Sequence, residues 1–182
     1  MKRLFSAVLL ALFLVGCGSR SEYCDDAMLL RDKLNIASNC KFIATVTLDY
    51  GDSLYTFVSR CEADAENNMR VTILEPAAIV GICGEISAES GRLVFDEQIL
   101  AFEMIADGQI TPICTPWLLI QALRSGYISS CGAGTVHIDD SFKGCEFSIE
   151  VYLNEDGIPN EAEFVWNGKR VVSMTLNDFA IV

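Results

Sequence analysis

The chain of 182 residues has one histidine, His137, and only 13 basic residues against 25 acidic ones, for a formal charge of −12. A surface of that sign repels phosphate backbones, which excludes nucleic acid as a partner class. With a single imidazole, no His-x-x-x-His pair and no Cys-x-x-Cys spacing, the usual zinc frameworks are missing, and no metal or other cofactor is expected. There is no Gly-x-Ser-x-Gly elbow, no phosphate-binding loop and no Gly-x-Gly-x-x-Gly; Gly132-Ala133-Gly134 comes nearest and reads as a turn. Four prolines and 13 glycines exclude a collagenous or low-complexity chain. A charged fraction of 21% with 51% hydrophobic residues excludes a disordered one. The length suits one domain with a core of its own.

The N-terminus carries the clearest signal. Lys2 and Arg3 precede Leu4 to Val15, a run that is apolar except at Ser6. It is too short to span a bilayer and has the proportions of a signal peptide. It ends Leu14-Val15-Gly16-Cys17, which resembles a bacterial lipobox, whose cysteine is acylated. The resulting division is a lipoprotein signal peptide over 1–16, a lipidated Cys17 with a tether over 17–23, and one domain over 24–182. Cleavage before Cys17 leaves 166 residues with a formal charge of −14. Such a charge gives no attraction to anionic head groups, so attachment falls to the acyl chains on Cys17. The expected location is the extracytoplasmic face of a bacterial envelope membrane. No later stretch reaches the roughly 18 apolar residues of a spanning helix.

Export makes disulfides chemically accessible. Seven cysteines remain besides Cys17, an odd number, so at least one stays out of an intramolecular pair. Asp49-Tyr50-Gly51-Asp52 reads as a hairpin turn; centred on Tyr50-Gly51 it sets Cys40 opposite Cys61, the first expected disulfide. A one-residue bulge would put Arg60 opposite Cys40 instead. Cys131–Cys145 is the second expected pair, across a short hairpin, and Cys83–Cys114 a weaker third. Cys24, near the tether, is left unpaired or available to join two molecules.

Periodicity places helices at the start and well inside the chain. Cys24 to Ala37 keeps Met28, Leu30, Leu34 and Ala37 roughly on one face. Thr115 reads as a cap, Pro116 as a first helical residue and Gly126 as the stop of a helix that is apolar nearly all round from Trp117 to Leu123. The rest alternates with period two. The cleanest case is Cys145 to Leu153, with Phe147, Ile149, Val151 and Leu153 on one face. Short connections make the sheet antiparallel, and so many strands must curl. The fold class expected is α+β, mainly antiparallel β: a curved half-barrel of about ten or eleven strands, with an N-terminal helix and a plug helix.

Several segments in this order are similar to the LolA-like lipoprotein-carrier superfamily, which includes LolA, LolB and mycobacterial lipid-binding lipoproteins. They are Val71-Thr72-Ile73-Leu74-Glu75-Pro76, Gly91-Arg92-Leu93-Val94-Phe95, Gly157-Ile158-Pro159-Asn160-Glu161-Ala162-Glu163, Trp166-Asn167-Gly168 and Asn177-Asp178-Phe179. The resemblance implies a half-barrel whose concave face binds acyl chains, capped by helices, without catalysis. The carriers are mostly not lipidated, and seven mature cysteines exceed what the family carries. Lipidated, carrier-like proteins also occur on monoderm envelopes, where the module acts on a protein partner.

Two functions follow. In the first, the domain binds an apolar ligand, a lipid or the acylated end of another lipoprotein, in a cavity lined by Trp117, Leu118, Leu119, Ile120, Phe147, Ile149 and Val151. In the second, those residues fill the concavity and the domain is an envelope protein-interaction or regulatory module. Catalysis is not expected: His137 near Asp139 and Asp140 reads as a strand-edge histidine, and carboxylate pairs such as Glu161/Glu163 or Asp139/Asp140 are unavoidable among 25 acids.

Overall fold

A computed structural model describes residues 22–49, 51, 53–106 and 109–182. Cys17 and the segment read as a signal peptide lie outside the described residues. Within them, no helix is long and apolar enough to cross a membrane.

Helix α1 (Glu22–Ile36) opens the described chain. It buries Ala27, Leu30 and Leu34 at the i, i+3, i+7 spacing of one helical face. Ala27, not the exposed Met28, completes that stripe. Thirteen strands follow. The first six are β1 (Asn39–Asp49), β2 (Leu54–Asp64), β3 (Met69–Glu75), β4 (Cys83–Ile86), β5 (Gly91–Phe95) and β6 (Gln98–Phe102). A small hairpin, β7 (Ile105–Ala106) and β8 (Gln109–Ile110), leads through the 3-10 turn Pro112–Cys114 into helix α2 (Thr115–Ser125). The chain then returns through β9 (Tyr127–Gly132), β10 (Thr135–Phe142), β11 (Cys145–Leu153), β12 (Pro159–Trp166) and β13 (Lys169–Ile181).

Eleven of these strands form one curved antiparallel sheet in the order β6-β5-β4-β3-β2-β1-β13-β12-β11-β10-β9. Strands β1 and β13 meet at its centre, where Asn39 and Val182 exchange backbone hydrogen bonds of 3.0 and 2.9 Å. Alternation decides which side each residue takes. Phe42, Ala44, Val46 and Leu48 of β1 are buried on the concave side, while Lys41, Thr45 and Thr47 face out. The expected half-barrel with an N-terminal and a plug helix is the observed architecture.

The plug is α2. Trp117, Leu118, Leu119 and Ile120 are 0–1% exposed, so the helix is surrounded and not laid on a surface. Its start differs by one residue from expectation. Cys114 is the N-cap, Thr115 is already helical, and the Thr115 hydroxyl donates back to the Pro112 carbonyl at 2.9 Å. The 3-10 turn runs directly into the helix and takes over the role of a side-chain cap. Gly126 ends the helix in an extended conformation (φ −62°, ψ 157°). Glycine is needed there for space: a Cβ would lie 2.5 Å from Ile138 Cγ2 and 2.8 Å from the Ala122 carbonyl oxygen.

Arg31 of α1 ties the plug in place. Its guanidinium donates to the carbonyls of Leu123 (2.8 Å) and Gly126 (2.7 Å) at the C-terminal end of α2, and at 3.4 Å to that of Ala122, which also accepts the Gly126 N–H. Arg31→Ala is expected to lower unfolding free energy by about 2 kcal/mol, the scale of charge-assisted hydrogen bonds. Urea unfolding checks this, with Arg31→Lys recovering only part of the loss because one ammonium cannot reproduce the fork.

The cysteines pair differently from expectation. The disulfide joins Cys24 of α1 to Cys131 of the edge strand β9. Cys24 is therefore neither unpaired nor available to a second molecule. The expected Cys40–Cys61 bond is absent because the β1–β2 connection has four residues instead of two. Leu48 faces Tyr55, so Cys40 faces Ala63 and Cys61 faces Phe42. Both thiols stay on the concave face but sit diagonally, at the roughly 7–8 Å typical of such neighbours, beyond the reach of a disulfide. The expected Cys131–Cys145 bond fails because β10 runs for eight residues: Cys131 lies near its Thr135 end and Cys145 faces its Phe142 end. Cys83 and Cys114 are likewise free and buried.

Burial pushes the Cys40 and Cys61 thiols up to about 12, and Cys114 is raised for the same reason. These groups hold their protons in the folded state at pH values where the unfolded chain releases them. Their stabilising contribution is complete below the ordinary thiol value near 9 and is lost as pH rises toward 12. Urea midpoints are expected to fall over that interval. Substituting Cys40 and Cys61 by Ala should shallow the fall.

Candidate ligand-binding mouth

The seven residues expected to line a cavity come together, but as core. Trp117, Leu118, Leu119, Ile120, Phe147, Ile149 and Val151 are 0–5% exposed and belong to one continuous apolar cluster. Trp117 meets the Phe142 ring edge-on at 5.1 Å between centroids, and its indole N–H donates to the Asn67 carbonyl at 2.6 Å. This hydrogen bond lets a bulky polar-tipped side chain occupy the interior.

An open cavity of about 540 Å³ lies at one end of the half-barrel. It sits between the β1–β2 and β12–β13 turns and the β7–β8 hairpin. Leu48, Ile110, Trp166, Val171 and Val172 supply its apolar lining; Asp49, Gln109, Lys169 and Arg170 supply its polar rim. Register builds the floor: Leu48 of β1 faces Val172 of β13, both buried on the concave side. Trp166 is half-buried, and its ring stacks parallel to Phe147 at 6.4 Å, joining the mouth to the core. Arg170 is engaged by Glu163 at 2.7 Å. Among the described residues Lys169 has no ion-pair partner. An apolar floor with a polar rim that offers the Lys169 ammonium beside the Asp49 carboxylate can take a small amphiphile.

Gln98 to Ala106 carries the sequence pattern of one strand, which conceals the mouth. The structure breaks it after Phe102, and Gln109 and Ile110 of β8 line the cavity. The apolar Ile110 is the sequence feature that marks this part of the lining.

The convex face is polar. Lys41, Glu62, Arg70, Glu85 and Arg92 stand opposite one another across β1 to β5, a row of alternating charge. Lys41 and Glu62 approach to 3.3 Å. Such exposed pairs hold strand register and contribute little each. His137 lies on this face in β10, with Nδ1 3.5 Å from Glu150. Glu161 and Glu163 point the same way from β12, and Glu163, Glu150 and Glu161 surround Tyr152. Among the described residues no group of three or more His, Cys, Asp or Glu side chains is placed to hold a metal ion.

These features define a curved antiparallel half-barrel with a helix-filled centre and an open mouth. No protein-family model matches the chain, and no curated protein matches it. Among solved structures it is similar to an uncharacterized conserved protein from Thermus thermophilus, with 14% identity, a TM-score of 0.46 and coverage of 86% of this chain and 87% of that one. It is also similar to an outer membrane lipoprotein-sorting protein domain from Vibrio parahaemolyticus (11%, 0.46, covering 86% and 91%). A LolA superfamily protein from Nitrosomonas europaea matches at 10% identity and a TM-score of 0.41, covering 86% and 93%.

Proposed function

We propose that this protein is a membrane-anchored extracytoplasmic lipoprotein whose half-barrel binds an apolar ligand, a lipid or acyl chain, at its mouth and without catalysis. The observation that carries this reading is the cavity of about 540 Å³ with Leu48, Ile110, Trp166 and Val172 below a rim that includes Lys169. A cavity of that size falls within the range of small-molecule sites. The anchor rests on the lipobox at Cys17 and its preceding apolar run. The non-catalytic role is supported by the position of His137, on the convex face and outside the residues that line the mouth.

The test is a titration of the full chain with a fluorescent fatty acid, beside native mass spectrometry. Saturable one-to-one binding is expected. Lys169→Glu is expected to weaken the fatty acid about fivefold, the scale of one exposed charge pair, and to leave an uncharged monoacylglycerol unaffected. No saturable binding of either probe refutes the reading.

A second reading is an envelope protein-interaction module. It is favoured by the burial of eight of the eleven plug-helix residues together with exposed apolar side chains on the β5–β6 hairpin, Phe95, Ile99 and Leu100. Crosslinking that recovers no stoichiometric partner refutes it.

A further inference from the structure

The two edges of the eleven-stranded sheet are treated very differently. Strand β9 is bonded to α1 through Cys24–Cys131. Strand β6, at the other edge, pairs only with β5 among the described residues. Residues Gln98 to Ala101 are all exposed, with Ile99 at 67% and Leu100 at 64%. These two point to opposite faces of the sheet, so the edge is apolar on both sides.

Protein edges normally carry a guard against strand addition: a proline, an inward lysine, a bulge or a covering element. The strand Gln98-Ile99-Leu100-Ala101-Phe102 has no proline and no charge. Its pairing with β5 runs through five consecutive partners without a register shift, so it is not bent away by a bulge. Among the described residues it is an unguarded template of backbone donors and acceptors without a second strand.

Charge selects the occupant. Asp96 and Glu97 precede the strand and Glu103 follows it. A second copy of this chain would add as an antiparallel strand in a two-fold pair. With Leu100 on the axis, Glu97 of each copy would face Glu103 of the other; moved by one residue, Asp96 would take that place in one direction and Gln98 in the other. Like charges directly opposite oppose pairing. A segment with cationic ends meets attraction at the same positions.

We propose that the β6 edge receives an extended segment of a partner protein, apolar in its middle and basic at its ends, as a twelfth strand. The inference rests on the protein-interaction reading above and is independent of lipid uptake at the mouth. It assigns that partner a mode of binding, β-strand addition, in which main-chain hydrogen bonds hold the segment and apolar side chains cover Ile99 and Leu100.

The experiment is selection of a displayed library of random ten-residue peptides against the full chain, repeated with Ile99→Lys. Ile99 is exposed, so the substitution places a guard on the edge without touching the core; an unchanged urea midpoint checks that it folds. The expected result is enrichment of peptides with an apolar centre and Lys or Arg at both ends. Synthetic versions should slow amide exchange across Gln98 to Phe102 and lose at least tenfold in affinity with Ile99→Lys. Enriched peptides that bind equally well to Ile99→Lys and protect another surface would overturn the edge proposal and leave the interaction reading standing. Failure to enrich any peptide overturns both. Concentration-dependent dimerisation abolished by Ile99→Lys would show that a second copy is the occupant and overturn the assignment of a basic partner.

Discussion

Cys24→Ser is expected to lower the unfolding free energy by about 4 kcal/mol. The bond closes a separation of 107 residues. In the loop-entropy view, cross-links of that span stabilise by roughly 4–5 kcal/mol, with native-state effects commonly reducing the figure. It joins the first described helix to the last strand of the sheet order, so the substitution also frees α1 from the edge it covers. A reductant should give the wild-type chain the same loss and leave Cys24→Ser unchanged. Substituting Cys40 or Cys61 by Ala should not alter the response to reductant, since both are free thiols. Urea unfolding with and without reductant measures all of this, and mass mapping of the unreduced digest should yield a joined Cys24–Cys131 fragment.

Trp117→Ala is expected to cost a similar amount, about 4 kcal/mol, the range for removing a buried aromatic side chain. Trp117 is fully buried, packs edge-on against Phe142 and satisfies the Asn67 carbonyl. The urea midpoint should fall without a change in the slope, since folded and unfolded states expose nearly the same surface as before. Trp117→Phe separates packing from hydrogen bonding. It keeps most of the ring and loses the donor, so about 1–2 kcal/mol is expected. The alanine variant has a second consequence. It opens an apolar void inside a filled concavity, and such voids stay dry and accept small apolar molecules. A benzene-sized probe should therefore raise the stability of Trp117→Ala and leave that of the wild-type chain unchanged.

Both effects concern features that differ in how openly the sequence displays them. The plug helix is legible: a proline near the first turn, four consecutive large apolar residues and a glycine stop can only describe a helix surrounded on several sides. The alternation in Cys145 to Leu153 likewise identifies its buried face, and Phe147, Ile149 and Val151 are buried as that pattern requires. Disulfides were not legible because they depend on register, and register depends on loop length. Four residues instead of two in the β1–β2 turn shift Cys61 from Cys40 to Phe42 without changing its face. The Cys24–Cys131 bond depends on docking between elements 107 residues apart, for which local pattern carries no signal.

The candidate site was hidden for a related reason. Its walls come from four separate places, Leu48, Ile110, Trp166 and Val172, and only the curvature of the sheet gathers them. Arg31 is similar: a lone arginine on an amphipathic helix reads as a solvated residue until α2 ends against it. The alternating row from Lys41 to Arg92 is visible only once five strands are in register.

The position of the ligand, at the mouth and not in the centre, can be measured with the two tryptophans of the chain. Trp166 lines the mouth and Trp117 is sealed in the core. Titration with a brominated fatty acid should quench the wild-type fluorescence saturably. In Trp166→Phe the same fatty acid should still bind, by competition with a fluorescent one, while the remaining Trp117 emission stays unquenched. Quenching that persists in Trp166→Phe would place the acyl chain beside the plug helix and contradict the filled half-barrel described here.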